Sequence, residues 1–245
     1  MPDRPVAVGL LYPGHSAEDD FPALEARLSG RLRLPLVHTS VGEDAHRVDA
    51  LLDLGGEERL AEGAARLAEL GPDSIMWACT SGSFVFGWDG AREQVGRIER
   101  AQGRPTSSTS IAFVEAARRL GLSRVAVAAS YPEDVAARFV DFLGHGGIEV
   151  VHWGARDILT AAEVGTLGRD DVLRLAADHD HPEAEAVLVP DTAMHSLLWL
   201  DDLEDAVGKP VLTANQVTVW QGLRLAGVEP ELPGLGRLFA DRGTA

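Results

Sequence analysis

Cysteine is almost absent from this 245-residue chain: Cys79 is the only one. A single thiol excludes an intramolecular disulfide and any zinc or iron–sulfur cage built from cysteines. Lysine is as scarce. Of 22 basic residues only Lys209 is a lysine, and it sits in a Gly-Lys-Pro turn, which leaves a Schiff-base mechanism almost nowhere to form. Cations are outnumbered by 38 acidic residues, for a formal charge of −16. That field repels phosphate backbones and anionic lipid, so neither nucleic acid nor a membrane surface is an expected partner. A site for an anion must be built locally. No apolar run reaches the roughly 18 residues of a membrane span, and Met1-Pro2-Asp3-Arg4 does not open a signal peptide, so the expected location is the cytoplasm. The phosphate-loop, Gly-x-Gly-x-x-Gly, His-Glu-x-x-His and Gly-x-Ser-x-Gly signatures are all missing. What remains is chemistry at a thiol, with no cofactor and no metal expected.

The composition is otherwise that of an ordinary soluble protein, 45% hydrophobic and 24% charged. A chain of this length buries about 70–75% of its unfolded surface, enough for a full core without staples. Apolar strand-like runs at residues 6–11, 33–37, 74–78, 125–129, 148–151, 186–189 and 211–212 alternate with helical patterns. The helices are expected at 24–28, 59–70, 91–101, 111–120, 135–143, 170–177, 197–207 and 218–225. Strands separated by helices of this length predict parallel strands joined by βαβ crossovers, an α/β fold.

The chain also echoes itself. Val6-Ala7-Val8-Gly9-Leu10-Leu11-Tyr12-Pro13 returns as Val125-Ala126-Val127-Ala128-Ala129-Ser130-Tyr131-Pro132, and Ile75–Thr80 returns as Val187–Thr192. Gly103-Arg104-Pro105-Thr106 returns as Gly208-Lys209-Pro210-Val211. Three pairs in the same order at similar offsets predict two related halves. The first half is read as residues 1–115 plus 214–245, and the second as 116–213. Open parallel sheets bind ligands at the carboxyl ends of their strands, so two such halves predict a cleft between facing strand ends.

Those ends carry the candidates for chemistry. Cys79 follows a strand and precedes Thr80-Ser81-Gly82-Ser83, whose small residues let backbone N–H groups converge, a setting that lowers a thiol pKa. Asp191 is its counterpart by internal symmetry, a general acid or base if burial raises its pKa, or else a helix N-cap. Ser16, Thr80, Ser81, Tyr131, Thr192, Ala193 and Asn215 are the expected substrate contacts, a set rich in hydroxyls and poor in cations that suits a small carboxylate. Asn215 also reads as a helix cap. His15 joins Ser16 in a Gly-led loop after the first strand. His179 and His181 lie in a charged, Pro-terminated segment and read as a solvated loop. Trp77, Phe84, Phe86, Trp88 and Met194 are expected to set pocket size.

Ala78-Cys79-Thr80-Ser81-Gly82-Ser83 resembles the first cysteine motif of the maleate cis–trans isomerases and the arylmalonate decarboxylases, within the aspartate/glutamate racemase superfamily. The resemblance extends through Tyr12-Pro13, Pro105–Ser110, Ala129–Pro132 and Gly208–Gln216. It implies two pseudo-symmetric flavodoxin-like halves with the active site between them, no cofactor, a homo-oligomer, Cys79 in the place of the isomerase nucleophile, and Tyr131 on a substrate carboxylate. The implied substrate is a small dicarboxylate or a malonate. Where the family's second cysteine belongs, this chain has Asp191, which disfavours a two-thiol racemase. Three readings stay open: a maleate-isomerase-like enzyme, a malonate decarboxylase with one cysteine proton donor, and a non-catalytic carboxylate-binding relative.

Overall fold

The computed structural model describes residues 4–229 and 231–240. Its strands are β1 (Val6–Pro13), β2 (Leu32–Arg33), β3 (Leu36–Thr39), β4 (Ser74–Trp77), β5 (Thr106–Ser108), β6 (Arg124–Ala129), β7 (Glu149–Ala155), β8 (Ala186–Val189) and β9 (Val211–Thr213). The helices of the first half are α1 (Asp20–Arg27), α2 (Val48–Leu54), α3 (Glu57–Ala68), α4 (Ser81–Phe84), α5 (Gly87–Gln102) and α6 (Thr109–Leu120). Those that follow are α7 (Glu133–His145), α8 (Ala161–Val164), α9 (Arg169–Asp178), α10 (Leu200–Val207) and α11 (Ala214–Leu225).

The strands form two sheets, and every pairing is parallel. In the first, β1 lies between β4 and the edge pair β2 and β3, with β5 beyond β4; the second has the order β7-β6-β8-β9. Both sheets therefore place their first strand second from one edge, the doubly wound flavodoxin-like order, and the two halves repeat one another. β2 and β3 are one edge strand interrupted at Leu34-Pro35, where proline has no N–H to give to the ladder. The central strands are apolar on both faces because helices cover both: β4, β8 and nearly all of β1 and β6 are buried.

The repeated Gly-x-Pro motif has a mechanical explanation. Gly103 ends α5 and Gly208 ends α10, both in the left-handed region (φ 62° and 74°) that stops a helix at little cost only for glycine. Two residues later a proline carbonyl accepts a bond from the neighbouring strand: Ile75 N–H to Pro105 O at 2.9 Å and Val187 N–H to Pro210 O at 3.1 Å. The same device twice starts the last strand of a sheet.

Helix α11, which follows the second sheet, packs on the first. Ser74 Oγ in β4 donates to the carbonyl of Gly222 at 2.7 Å, and a Cβ at Gly222 would come within 2.2 Å of Val8. The expected helix at 218–225 in fact starts at Ala214. Its N-cap is Thr213, whose backbone N–H bonds Gln216 Oε1 at 3.1 Å, so Asn215 does not serve as the cap. The polar strand β5 (Thr-Ser-Ser) and the short helices α2, α4 and α8 left no periodic signal in the sequence. Among the described residues no helix is long and apolar enough to cross a membrane.

Candidate active site

Cys79 lies two residues beyond β4, and Asp191 two residues beyond β8, at equivalent ends of equivalent strands. Both line one cavity of about 220 Å³ between the halves. Ser16, Ser81, Thr192 and Ala193 line it too, together with His15. The fold thus brings six of the nine expected site residues onto one surface. Thr80, Tyr131 and Asn215 lie behind it.

The turn after β4 is held from several sides. Trp77 Nε1 (3.3 Å) and Gln94 Nε2 (3.0 Å) both donate to the carbonyl of Gly82, while Ser83 Oγ joins a buried ring of hydroxyls with Ser108 and Ser110. This orients the Gly82 N–H at the Cys79 sulfur, 3.3 Å away, with Ser81 Oγ at 3.9 Å. The expected converging N–H groups therefore reduce to one good donor. Cys79 is only 3% exposed, and burial pushes its thiol up to about 12, against the amide and the hydroxyl; the charge of Asp191 acts in the same direction. The lowered thiol pKa read from the sequence is corrected: desolvation outweighs the donors. The resting thiol is neutral.

Asp191 is 5% exposed, and both of its oxygens are engaged. Ser130 Oγ donates to Oδ2, and the Ala193 N–H donates to Oδ1 at 2.9 Å. No helix begins there, so the N-cap alternative is set aside in favour of an Asx turn. The segment after it is tied to the first half at two points. The Tyr12 hydroxyl donates to Thr192 O (2.9 Å), contacts Ser16 Oγ (2.8 Å) and accepts from Ala17 N–H (3.1 Å). The buried Asp20 carboxylate accepts from the N–H groups of Ser196 and Leu197 and from Asn215 Nδ2, at 2.9, 3.1 and 3.1 Å. Asn215 thus braces the Asp191 segment and also bonds Met194 O at 3.3 Å. Burial raises the pKa of Asp20 despite these three donors, and raises that of Tyr12 well above its ordinary value.

Tyr131 is buried with its hydroxyl donating to Pro190 O, its ring edge-on to Phe84 and His46 at 5.8 and 5.0 Å. Desolvation, with Asp191 and Cys79 nearby, holds it protonated. Thr80 is fully buried, and its Oγ1 has no partner.

Several wall residues had no sequence signal. The loop at residues 41–46 crosses the cleft: Asp44 accepts from the N–H groups of Ala161 and Ala162 (2.9 and 3.1 Å), and His46 N–H donates to Leu159 O at 2.7 Å. His46 Nδ1 also sits 2.8 Å from Ile158 O. Val41, Leu51 and Leu54 supply the apolar wall, and Glu43 adds a further carboxylate. The residues expected to set pocket size do not line the cavity; Trp77, Phe84 and Met194 are core, and Phe86 and Trp88 pack against it. An aspartate that caps a helix more than a hundred residues away leaves no local pattern.

The chain is thus a two-lobed parallel α/β protein with a buried thiol and a carboxylate at matching strand ends. The profile of the arylmalonate decarboxylase family matches residues 55–239, and the chain belongs to that family. It is 29% identical to the arylmalonate decarboxylase of Bordetella bronchiseptica, over 74% of this chain and 77% of that one. It is 27% identical to the maleate isomerase of Nocardia farcinica, over 95% and 94%. The match to the maleate isomerase of Alcaligenes faecalis, 28% identical, spans about half of each protein (56% and 54%). Among solved structures, a serine-for-cysteine variant of the Nocardia farcinica maleate cis–trans isomerase with a covalently bound succinylcysteine intermediate superposes with a TM-score of 0.82. That match has 24% identity and covers 96% of this chain and 98% of the other.

Proposed function

We propose that this chain is a cysteine enzyme that isomerises a small unsaturated cis-dicarboxylate, with Cys79 as nucleophile and Asp191 as proton carrier. The observation that carries the reading is that the sole thiol and a carboxylate line one small cavity from equivalent strand ends. Relatives named maleate isomerase, one of them seen with a succinylated cysteine, support it.

The reaction runs as a balanced sequence of steps. The thiol proton passes to Asp191 as the sulfur adds to one alkene carbon, and Asp191 delivers that proton to the other. The double bond becomes single and rotates. Asp191 then removes a proton from the same carbon, the C–S bond breaks, the trans double bond forms and the proton returns to sulfur. Burial makes a free thiolate costly at neutral pH, so the proton leaves the sulfur as the C–S bond forms and not before. Ser16, Ser81 and Thr192 offer hydroxyls to the substrate carboxylates, while the Ala193 N–H stays on Asp191 Oδ1. Thr80, with its unpartnered Oγ1, and Tyr131 are the deeper donors; Tyr131 must release Pro190 to serve.

The neutral thiol favours a second reading, decarboxylation. A substituted malonate loses carbon dioxide, the Cys79 S–H protonates the α-carbon of the resulting enediolate, and the thiolate is reprotonated from water. This needs no prior ionisation of sulfur.

One experiment separates them. Maleate and substituted malonates are offered to the enzyme, and intact mass is read during turnover. A gain equal to the substrate, located on Cys79, is expected for isomerisation; product carrying solvent deuterium at the α-carbon without an adduct marks decarboxylation. Undiminished activity in Cys79→Ala would remove both.

A further inference from the structure

The parallel register of β1 and β3 sets His38 beside Tyr12, and so brings it against the loop that leaves β1. Its imidazole lies 4.0 Å, centroid to centroid, from that of His15. Glu18, in the turn entering α1, completes the group. Its Oε1 is 3.0 Å from His15 Nδ1 and 3.5 Å from His38 Nε2, and the three atoms all fall within 4.8 Å of one another. The Ser16 N–H holds the other carboxylate oxygen at 2.7 Å, which turns Oε1 toward the two rings. His38 Nε2 is shielded from water and has no hydrogen-bond partner, since 3.5 Å is too long for a good one.

These spacings have a specific chemical meaning. Four ligands at about 2.0–2.1 Å around a tetrahedral zinc ion are about 3.3 Å apart. Two of the edges are already close to that length. We propose that His15 Nδ1, Glu18 Oε1 and His38 Nε2 form a site for a divalent transition metal of the zinc or cobalt kind. Two imidazoles and one carboxylate favour such an ion over magnesium or calcium, which prefer oxygen alone. Binding replaces the His15–Glu18 hydrogen bond, so the His15 proton moves from Nδ1 to Nε2 through solvent, to which this side chain is open (74% exposed). Of the three ligands, His15 also lines the Cys79 cavity. An ion there sets positive charge on a rim that otherwise carries Glu43 and Asp44. The assignment is independent of the reaction at Cys79.

The second histidine cluster, His152 with His179 and His181, is the natural control; its ring centroids lie 5.6 and 6.3 Å apart, with two of the Nδ1 atoms already bonded. Cobalt chloride is titrated into the metal-stripped full-length protein and the visible ligand-field absorption recorded. The expected result is one cobalt per chain. His15→Ala and Glu18→Gln, both in the loop and turn at the surface, each weaken binding by at least about tenfold. His181→Ala and Cys79→Ala leave it unchanged. No binding below millimolar cobalt, binding indifferent to both His15→Ala and Glu18→Gln, or binding lost in His181→Ala or Cys79→Ala would overturn the assignment.

Discussion

Alkylation of Cys79 in the resting protein should be slow, and the expected size of the effect follows from its surroundings. A thiol near 12 is about 10⁻⁵ ionised at pH 7, against about 3% for free cysteine at 8.5. The ratio is about 3,000. A more basic thiolate is also a better nucleophile, and a Brønsted slope of about 0.45 over 3.5 units returns a factor of about 40. The net expectation is a rate about eightyfold below that of free cysteine, before any steric hindrance from a side chain only 3% exposed. The rate should climb close to tenfold per pH unit from 7 to 10 without a plateau. Iodoacetamide labelling followed by intact mass spectrometry measures both, with Cys79 the only thiol available. Fast labelling at pH 7, or a plateau near pH 8, would show that the Gly82 N–H and Ser81 outweigh burial, and the argument for a neutral resting thiol would fail.

Two other perturbations test the framework around the site. Tyr12→Phe removes the hydroxyl that bonds Ser16, Ala17 and Thr192, leaving a buried N–H and a carbonyl unpaired; a loss of about 1–3 kcal/mol in chemical denaturation is expected, with lower turnover because Thr192 adjoins Asp191. Unchanged stability would mean that water replaces the hydroxyl. Asp20→Asn tests linkage. The folded-state pKa of Asp20 lies above its unfolded value, so folding favours the protonated acid, and its contribution is greatest at low pH and lost as the pH rises through the folded value. The wild type should therefore gain stability relative to Asp20→Asn as the pH falls from 7 to 4; denaturation midpoints that move in parallel would refute this.

Much of the fold was written locally. Buried parallel strands need continuous apolar runs, and these stood out at β1, β4, β6 and β8. The Gly-x-Pro pairs stood out as a repeat, and the fold gives the reason: each glycine ends a helix before β5 or β9 in a backbone turn that only glycine readily takes. Thr-Ser-Ser at β5 has no apolar run of its own and was placed only through the repeat, since its burial comes from α5, α6 and α11 and not from its composition. The positions of Cys79 and Asp191 were legible for the same reason as the strands, through the internal repeat. Asn215 was harder: as a polar residue at a helix start it reads as a cap, and only the fold shows it bonded to Asp20, 195 residues away.

The chain alone thus determined its class, its duplication and the placing of one thiol and one carboxylate at matching strand ends, because strand patterning and turn chemistry are properties of neighbours in sequence. Whether that thiol is charged, which loop roofs the cavity, and that His38 joins His15 and Glu18 were decided only in three dimensions. Desolvation and ligand spacing depend on atoms brought together from distant segments, and no local pattern carries that information.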